Sequence, residues 1–322
     1  DEIDAVISFE PFDDIWNEPI HRCRTRLISW FHDAIPKRIN EGHYWNPDRF
    51  DRAVTNACYR AHRIVCVSRS AEQDLLTFFA AAKGKTQVIH LGHDKERFAR
   101  GAACDRATAQ AVLASHGISS MVPYLFFLGA VEPRKNMVNV LRACQVIRRR
   151  HPRLDFQLVL AGDVSGQSAI LRLIERTRQW LPVHALRYTT DAESAILAGR
   201  ARALLNPSLW EGFGIPILEG MTAGAVVVAS ELSSMPEVCA GHAILCDPYD
   251  INDMAEKFLR VLTMNARERQ ERATIAREYS SQFTWPRTAA ALWAVIEEEL
   301  AVQVADDDRA ETIDFEHERA CA

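Results

Sequence analysis

The chain predicts an α/β fold of two Rossmann-like domains whose parallel sheets face each other across a cleft. Short apolar runs alternate with amphipathic helical stretches along most of the sequence, which is the pattern of parallel βαβ units. A length of 322 residues exceeds what one ordinary core supports, so we expect two domains. Polar loops follow strand ends in both halves, and ligands of open α/β sheets bind at the carboxyl ends of strands. Small-molecule sites are common between domains, so we expect the site in the cleft.

The first predicted domain, residues 1–112, has an α/β pattern that is incomplete at its start. A polar, glycine-bearing segment from Lys95 to about His116 interrupts the pattern, and we place the domain boundary in it. Within the domain, strands are predicted over Ala5–Phe9, Arg26–Phe31, Arg63–Val67 and Thr86–Leu91, and helices over Arg52–Arg60 and Ser70–Ala82.

The second predicted domain, residues 113–285, is a complete α/β series. After it, a helix over residues 286–304 is expected to pack back on the first domain, with Trp285 and Trp293 on its core face, and the acidic residues 305–322 predict a disordered tail. The predicted strands are Tyr124–Leu128, Phe156–Ala161, Leu186–Tyr188, Ala201–Leu205, Val226–Ala229 and Ala243–Cys246, and the helices are Asn136–Arg149, Gln167–Trp180, Ala192–Gly199, Pro216–Ala223, Ile251–Thr263 and Ala266–Ser280.

Composition narrows the class of protein. An apolar fraction of 48%, a charged fraction of 25% and a net charge of -5 are typical of a globular protein that does not bind nucleic acid. No apolar run approaches the roughly 20 residues of a membrane span, and no signal peptide opens the chain. The 8 cysteines show no CxxC or metal-ligand spacing, which predicts reduced, buried thiols in a cytoplasmic protein.

The segment Asn206–Glu219 is the most informative motif. It places Glu211 and Glu219 on either side of a turn with two glycines that opens a predicted helix at Pro216. Free amides at a helix start bind anions, which favours a ligand site. The alternative is structural, because a glutamate in the first turn stabilises its own helix by roughly 0.3–1 kcal/mol without any ligand. Because both carboxylates share one short window with the glycines, a ligand site is the better interpretation.

Two further loops follow strand ends. Gly129–Asn136 carries Arg134 and Lys135, which suit a diphosphate clamp, although one basic pair alone is more often a solvated loop. His32 ends a strand of the first domain and is a candidate site residue across the cleft, although a lone histidine is usually structural. The basic run Arg148–Arg153 is typical of a helix C-terminus, where positive charge interacts favourably with the helix dipole. Contact with the cytoplasmic face of a membrane is the alternative interpretation.

Together these segments resemble the retaining nucleotide-sugar glycosyltransferases of GT-B fold, specifically glycosyltransferase family 4. The resemblance runs from about residue 5 to residue 300. It rests on the two glutamates within Pro207–Ser230 and on Gly129–Asn136, Phe31–Pro36 and Ser233–Val238, with Val65–Ser68, Val88–Asp94 and Phe283–Trp285 in support.

The resemblance implies a role for each candidate residue. Glu219 binds the donor ribose, and Glu211 with the backbone of Gly212, Phe213, Gly214 and Ile215 holds the transferred sugar and phosphates. Arg134 and Lys135 neutralise the diphosphate leaving group, and His32 approaches the donor sugar from the other domain. The implied reaction moves a hexose from a nucleoside diphosphate sugar to a glycan or lipid-linked acceptor, and the resemblance favours GDP-mannose as the donor. No cofactor and no metal are implied.

The sequence departs from the family at two places. Ala130 stands where many members have an arginine, so the clamp relies on Arg134 and Lys135. Only about thirty residues precede the His32 segment, so the acceptor domain is expected to be truncated. One alternative is therefore a non-catalytic nucleotide-sugar-binding module of a larger assembly. Another is a glycosidase that uses Glu211 and Glu219 as its acid and base. A dehydrogenase is disfavoured because no strand is followed by G-x-G-x-x-G.

Overall fold

The computed structural model describes residues 3–13, 16, 25–39, 46–130, 132–163 and 168–320, with side chains as far as Gln303. The chain divides into two compact units. One contains Asp1–Lys37, His43–His90 and Trp285–Ala322, and the other contains Arg38–Gly42 and Leu91–Thr284. Each unit has its own parallel sheet, as the alternation of apolar runs and amphipathic helices predicted.

The first unit is built on a parallel sheet with strand order β1-β2-β3-β4. The helix before β3 begins earlier than predicted, because the side chain of Asn46 accepts hydrogen bonds from the next free amides and caps it. Ser68 caps the following helix in the same way. The elements are β1 (Ala5–Ser8), β2 (Arg26–Phe31), α1 (Ile35–Arg38), α2 (Pro47–Arg60), β3 (Arg63–Cys66), α3 (Arg69–Phe78) and β4 (Thr86–Val88).

The second unit is built on a six-stranded parallel sheet with strand order β10-β9-β8-β5-β6-β7. Its strands are buried almost throughout, which explains their nearly continuous apolar sequences. The chain order reverses between β5 and β8, and such a switch point is the usual ligand position in open sheets. The strands are β5 (Tyr124–Leu128), β6 (Gln157–Ala161), β7 (Val183–Leu186), β8 (Ala203–Asn206), β9 (Val226–Ser230) and β10 (Ile244–Cys246).

Helices pack beside this sheet in two groups. One group pairs α6 with α7 and α11, and the other joins α4, α8, α9 and α12. The helices are α4 (Lys95–Ala103), α5 (Arg106–Ser115), α6 (Met137–Arg150), α7 (Ser168–Arg178), α8 (Asp191–Arg200), α9 (Ile215–Ala223), α10 (Met235–Cys239), α11 (Ile251–Thr263) and α12 (Ala266–Ser280). A final helix, α13 (Trp285–Ala320), belongs to the first unit and contacts β2 and β3.

The polar segment Lys95–His116 is not a break in the pattern. It forms α4 and α5, capped by Asp94 and Asp105, and the division between the units lies at Leu91 rather than after residue 112. Each helix buries only a narrow face, which is Phe98 and Gly101 in α4 and Ala109 and Leu113 in α5. Gly101, a breaker in the sequence, is a contact point, because an added Cβ would lie 2.5 Å from Ala195 of α8. The glycine therefore allows two helices to approach closely.

The C-terminal helix also differs from expectation. Its backbone continues to Ala320, so the acidic residues 305–320 lie in a helix where the sequence predicted a disordered tail. Residues 305–320 continue an existing helix, so they need no new nucleation step, and their alanine, glutamate and arginine residues favour the helix. Trp285 and Trp293 are 49% and 60% exposed, so they are not core residues, and Val295 and Ile296 occupy the buried face instead.

No helix in the described part of the chain is long and apolar enough to cross a membrane. The described cysteines are unpaired, as predicted, and all but Cys104 are buried. Burial raises the pKa of the Cys144 and Cys239 thiols to about 12, so both stay protonated at neutral pH. Cys23 and Cys321 lie outside the described residues.

Candidate functional site

Two loops meet at the carboxyl edge of the second sheet, where β5 and β8 lie side by side. The loop after β5 turns through a short 3-10 helix, Pro133–Lys135, and then through Asn136 in a left-handed conformation. The side-chain amide of Asn136 donates hydrogen bonds to the carbonyl oxygens of Pro207, at 3.1 Å, and Pro248, at 2.7 Å. The amide of Leu209 donates to the carbonyl of Arg134 at 2.7 Å. The basic loop and the glutamate loop are therefore held together.

Glu211 lies at the centre of this pair of loops and is 7% exposed. Its Oε1 accepts from Lys135 Nζ at 2.5 Å and from Ser208 Oγ at 2.7 Å, while its Oε2 accepts from Arg134 Nη1 at 2.8 Å. Arg134 Nε also pairs with Glu132 Oε2 at 2.7 Å. The structure thus brings together three residues that the sequence placed in the site, Glu211, Arg134 and Lys135.

The cations of this cluster are paired, which the sequence did not anticipate. Lys135 is itself only 7% exposed, so both partners of its bond to Glu211 are desolvated. Burial pushes the pKa of the Glu211 carboxyl up, but the nearby charges of Lys135 and Arg134, with their hydrogen bonds, push it down further. The pKa of Glu211 lies below its usual value, and the carboxylate stays ionised at neutral pH.

The turn Gly212–Ile215 leads from Glu211 into α9. Gly214 has φ +102°, a conformation that suits glycine, and an added Cβ would lie 3.2 Å from Ile217 Cδ1. Ser234 Oγ donates to the carbonyl oxygens of Glu211, at 3.0 Å, and of Phe213, at 2.9 Å. The Phe213 ring is buried against Phe283, so this residue can offer a ligand its backbone only. Gly212 and the half-buried Ile215 complete the turn.

Glu219 does not lie in the first turn of its helix. Because α9 begins at Ile215, Glu219 falls in the second turn, where the favourable interaction with the helix dipole is small. Its side chain is 8% exposed, and Oε1 accepts from Arg97 Nη2 at 3.2 Å. Arg97 also binds Asp191 Oδ2 through Nη1, at 2.8 Å, and Asp94 Oδ2 lies 3.7 Å from its Nε. Glu219 is therefore held by a shared arginine.

Burial raises the pKa of Glu219 to about 7. Arg97 opposes this effect through its charge and its hydrogen bond, while Asp94 and Asp191 add to it. The balance differs from that at Glu211, where two cations act on one carboxylate. The two glutamates of one motif therefore have pKa values on opposite sides of the usual glutamate value.

Sequence reasoning missed the residues that hold α9, the helix that bears Glu219. His93 is buried, with Nδ1 2.9 Å from the Phe283 carbonyl oxygen and Nε2 2.7 Å from Thr222 Oγ1. Burial lowers the pKa of His93, so the ring is neutral. A carbonyl only accepts, so Nδ1 carries the proton and Nε2 accepts from Thr222. Asp94, the residue after His93 in the chain, caps α4.

His32 lies just after β2 in the first unit and is exposed. The carboxylate of Asp33 accepts from the Ile35 amide at 2.9 Å and so caps the short helix α1. The role of His32 at a donor sugar stays a prediction. No group of three or more metal-ligating side chains occurs among the described residues.

Comparison with known proteins adds a family to this geometry. The model of the family described as glycosyl transferases group 1 matches residues 110–279, more than half of the chain. A second model, described as Glycosyltransferase Family 4, matches residues 2–97. The first match contains Arg134, Lys135, Glu211 and Glu219, whereas Arg97, the partner of Glu219, lies at the end of the second match.

Curated relatives are mannosyltransferases and other glycosyltransferases. The chain is 28% identical to O-antigen chain mannosyltransferase B of Escherichia coli over 82% of its own length and 68% of that protein. It is 28% identical to the serotype-specific mannosyltransferase WbdA of Escherichia coli over 84% of its own length and 33% of that protein. The chain therefore spans about a third of the second relative.

Solved structures share the fold at low identity. A glycosyltransferase from Rickettsia africae aligns with a TM-score of 0.76 at 17% identity, over 92% of this chain and 77% of that one. The Anabaena protein HepE, solved in complex with UDP and glucose, aligns with a TM-score of 0.76 at 17% identity, over 92% of this chain and 78% of that one. These neighbours have the GT-B fold that the sequence predicted. With the family match over residues 110–279, they lead to one conclusion: the chain belongs to the glycosyl transferases group 1 family and has the GT-B fold.

Proposed function

We propose that this chain is a retaining glycosyltransferase that moves mannose from GDP-mannose to a glycan or lipid-linked acceptor in polysaccharide synthesis. The observation that carries the proposal is the buried cluster of Glu211, Lys135 and Arg134 beside the start of α9. The choice of mannose rests on the two mannosyltransferases of Escherichia coli that resemble the chain.

The cluster suits a donor whose leaving group is a diphosphate. As the bond between the sugar carbon and the diphosphate oxygen breaks, negative charge develops on that oxygen. The acceptor hydroxyl oxygen forms the new bond to the sugar carbon, and its proton passes to the leaving diphosphate. Preorganised cations and helix-start amides stabilise such charge without reorganising during the reaction. Lys135 and Arg134 provide the cations, and the turn Gly212–Ile215 provides the amides. Glu211 holds both cations in place and faces the transferred sugar.

Glu219 binds the ribose of the donor in this proposal. Front-face substitution through an oxocarbenium-like state accounts for retention, because neither glutamate is suited to act as a nucleophile. Both oxygens of Glu211 accept charge-assisted bonds, and its low pKa makes it a weak base. The same pairing argues against a glycosidase with Glu211 as its base. The reaction needs no metal and no cofactor in this scheme.

The first test is a thermal-shift screen of the wild-type protein with UDP-, GDP- and ADP-sugars. We expect GDP-mannose to raise the melting temperature most, since a ligand at 100 times its Kd stabilises the native state by about 2.7 kcal/mol. Release of GDP with a suitable glycan acceptor then measures transfer. Binding without turnover would favour a non-catalytic donor-binding module, and a screen with no stabilising nucleotide sugar would overturn the proposal.

Variants of Lys135 and Glu211 connect this activity to the cluster. Glu211→Ala would leave a buried ammonium unpaired, at a cost of about 3–5 kcal/mol, so a loss of activity could reflect unfolding. The combined variant Lys135→Met with Glu211→Gln removes both charges and keeps the region neutral. We expect it to fold and to lose transfer. Lys257→Met is the matched control, because Lys257 pairs only with Asp253 on the surface of α11 in the described contacts.

A further inference from the structure

We propose that Arg97 is the positioning residue of Glu219: it holds Oε1 of the carboxylate and leaves Oε2 to accept hydrogen bonds from the hydroxyls of the donor nucleoside. This inference rests on the proposed function, which places the ribose at Glu219. The proposal adds Arg97 of α4 to the donor site, although α4 lies outside the motif Asn206–Glu219. The two residues are 122 positions apart in the sequence.

The geometry of the carboxylate supports this role. Oε1 is engaged by Arg97 Nη2 at 3.2 Å, whereas no described group donates a hydrogen bond to Oε2. A glutamate that is 8% exposed has little room to turn, and its helix packs against α4, α8, α10 and α12. The free oxygen therefore has a defined direction before any ligand arrives, which reduces the ordering cost of binding.

Arg97 is itself held from three sides. Nη1 binds Asp191 at the start of α8, at 2.8 Å, and Asp94 at the start of α4 lies near Nε, at 3.7 Å. The guanidinium also lies over the Phe98 ring, 4.9 Å from its centroid. A planar group with this many contacts is fixed in orientation, which a lysine ammonium would not be.

Charge on the surrounding elements makes the arrangement sensitive to pH. Burial raises the pKa of Glu219 to about 7, while Arg97 opposes this effect and Asp94 and Asp191 add to it. Of the other helices packed on α9, α12 brings Arg277, which donates to the Thr222 carbonyl at 3.1 Å, and α10 brings Glu237. An ionised Glu219 accepts hydrogen bonds from hydroxyl groups better than a protonated one does, so donor affinity rises with pH through this range.

Removal of Arg97 and removal of Asp191 then have opposite effects. Without Arg97 the pKa of Glu219 rises further, so the inflection in donor affinity moves to higher pH. Removal of Asp191 takes away a carboxylate that raises the pKa of Glu219, and Arg97 then no longer shares its charge with Asp191. The inflection in donor affinity therefore moves to lower pH. At a pH below the inflection, each change of one unit in the pKa of Glu219 changes the donor affinity about tenfold.

The experiment measures the Kd of GDP by titration calorimetry between pH 6 and pH 9. If another nucleotide stabilises the wild-type protein more in the screen, that nucleoside diphosphate replaces GDP. The variants are Arg97→Met, Arg97→Lys and Asp191→Asn, with Arg100→Met as control. Arg100 is an exposed residue of the same helix, so its loss removes an equal charge without a contact to Glu219.

We expect Arg97→Met to weaken binding at pH 7 and to move the inflection up, Arg97→Lys to restore part of the affinity, and Arg100→Met to match wild type. Asp191→Asn moves the inflection down and tightens binding at pH 6, a gain that partial unfolding cannot produce. In the Glu219→Gln background, Arg97→Met changes the Kd less than twofold, because the residue acts through Glu219.

Two results would overturn the inference. One is an Arg97→Met protein with the wild-type pH profile, and the other is an equal loss of affinity at every pH, which would mark a general structural role. If the wild-type protein binds no nucleotide at all, the proposed function fails first. If the wild-type protein binds and Arg97→Met leaves the profile unchanged, only the role of Arg97 fails.

Discussion

At the scale of single residues, the two glutamates of the motif differ because of their neighbours. Burial raises the pKa of both carboxyls, since an ionised group is poorly solvated inside a protein. Lys135 and Arg134 overcome this effect at Glu211, whereas at Glu219 one arginine is shared with other carboxylates and burial prevails. Glu211 is consequently a permanent anion at neutral pH, and Glu219 changes charge near pH 7.

The glycine at the start of α9 can be tested by substitution. A left-handed conformation costs an L-residue about 1–2 kcal/mol, and Gly214→Ala would add a methyl group 3.2 Å from Ile217 Cδ1. Gly117→Ala is the control, because Gly117 has φ +69° and nothing lies within 4 Å of its added Cβ. We expect a larger drop in melting temperature for Gly214→Ala. Equal drops would show that the contact with Ile217 is relaxed without cost.

The sequence was informative about some site residues and silent about others. Glu211, Arg134 and Lys135 follow strand ends with glycine or proline beside them, so their position was readable from local pattern. Arg97 and Asp191 lie in the first turns of ordinary helices that Asp94 and Thr190 cap, and no local pattern marks either residue as part of a site. Only their proximity to Glu219 in space distinguishes them, and a local pattern contains no such information.

At the scale of elements, α9 is anchored through a chain of buried hydrogen bonds. Thr222 Oγ1 donates to His93 Nε2 and lies 2.8 Å from Ser280 Oγ of α12. Arg277 of α12 donates to the Thr222 carbonyl. These contacts tie the helix that bears Glu219 to the segment before α4 and to α12.

Thr222→Val tests this anchor. The substitution keeps the shape of the side chain but leaves His93 Nε2 and Ser280 without their hydroxyl partner, and an unmatched buried polar group costs about 1–3 kcal/mol. Thr263→Val is the control, because the Thr263 hydroxyl is exposed and binds only carbonyls of its own helix in the described contacts. We expect the melting temperature to fall for Thr222→Val alone. A wild-type value for that variant would contradict the anchor.

Element bounds were predicted well for central strands and for the helices α11 and α12, and poorly at the edge of the sheet and over α4 and α5. The bounds of Arg26–Phe31, Tyr124–Leu128, Ile251–Thr263 and Ala266–Ser280 match the prediction. The strand after α7 lies at Val183–Leu186 rather than at Leu186–Tyr188, and Tyr188 is 79% exposed. A run of apolar residues indicates a buried strand, whereas an edge strand, or a helix that buries only a narrow face, contains few such residues.

At the scale of the whole molecule, the last helix completes the first unit. Arg63 of β3 pairs with Glu299 of α13 at 2.8 Å, and Glu299 is 5% exposed. Thr288 Oγ1 donates to the His90 carbonyl at 2.8 Å. Val295 and Ile296 are buried on the same helix. The C-terminal segment is therefore part of the core of a unit whose other elements come from the first ninety residues.

Two shortened variants test this arrangement. A chain that ends at Gln303 keeps these contacts, whereas one that ends at Thr284 loses the buried side chains of α13, each worth about 1.5–3 kcal/mol. We expect limited proteolysis to cut the second variant first within residues 1–90, and the first variant to resist like the full chain. Equal resistance of the two variants would show that α13 adds no stability.

The sequence by itself determined the α/β class, the two-unit organisation, the GT-B resemblance and the position of Glu211 and a basic loop at strand ends, because each depends on local periodicity or on loops that follow strands. Tertiary structure alone decided that Lys135 is buried against Glu211, that α4 belongs to the second unit, and that Arg97 holds Glu219. The physical reason is that charge, burial and pKa are set by groups distant in sequence, and folding brings them within a few ångströms of one another.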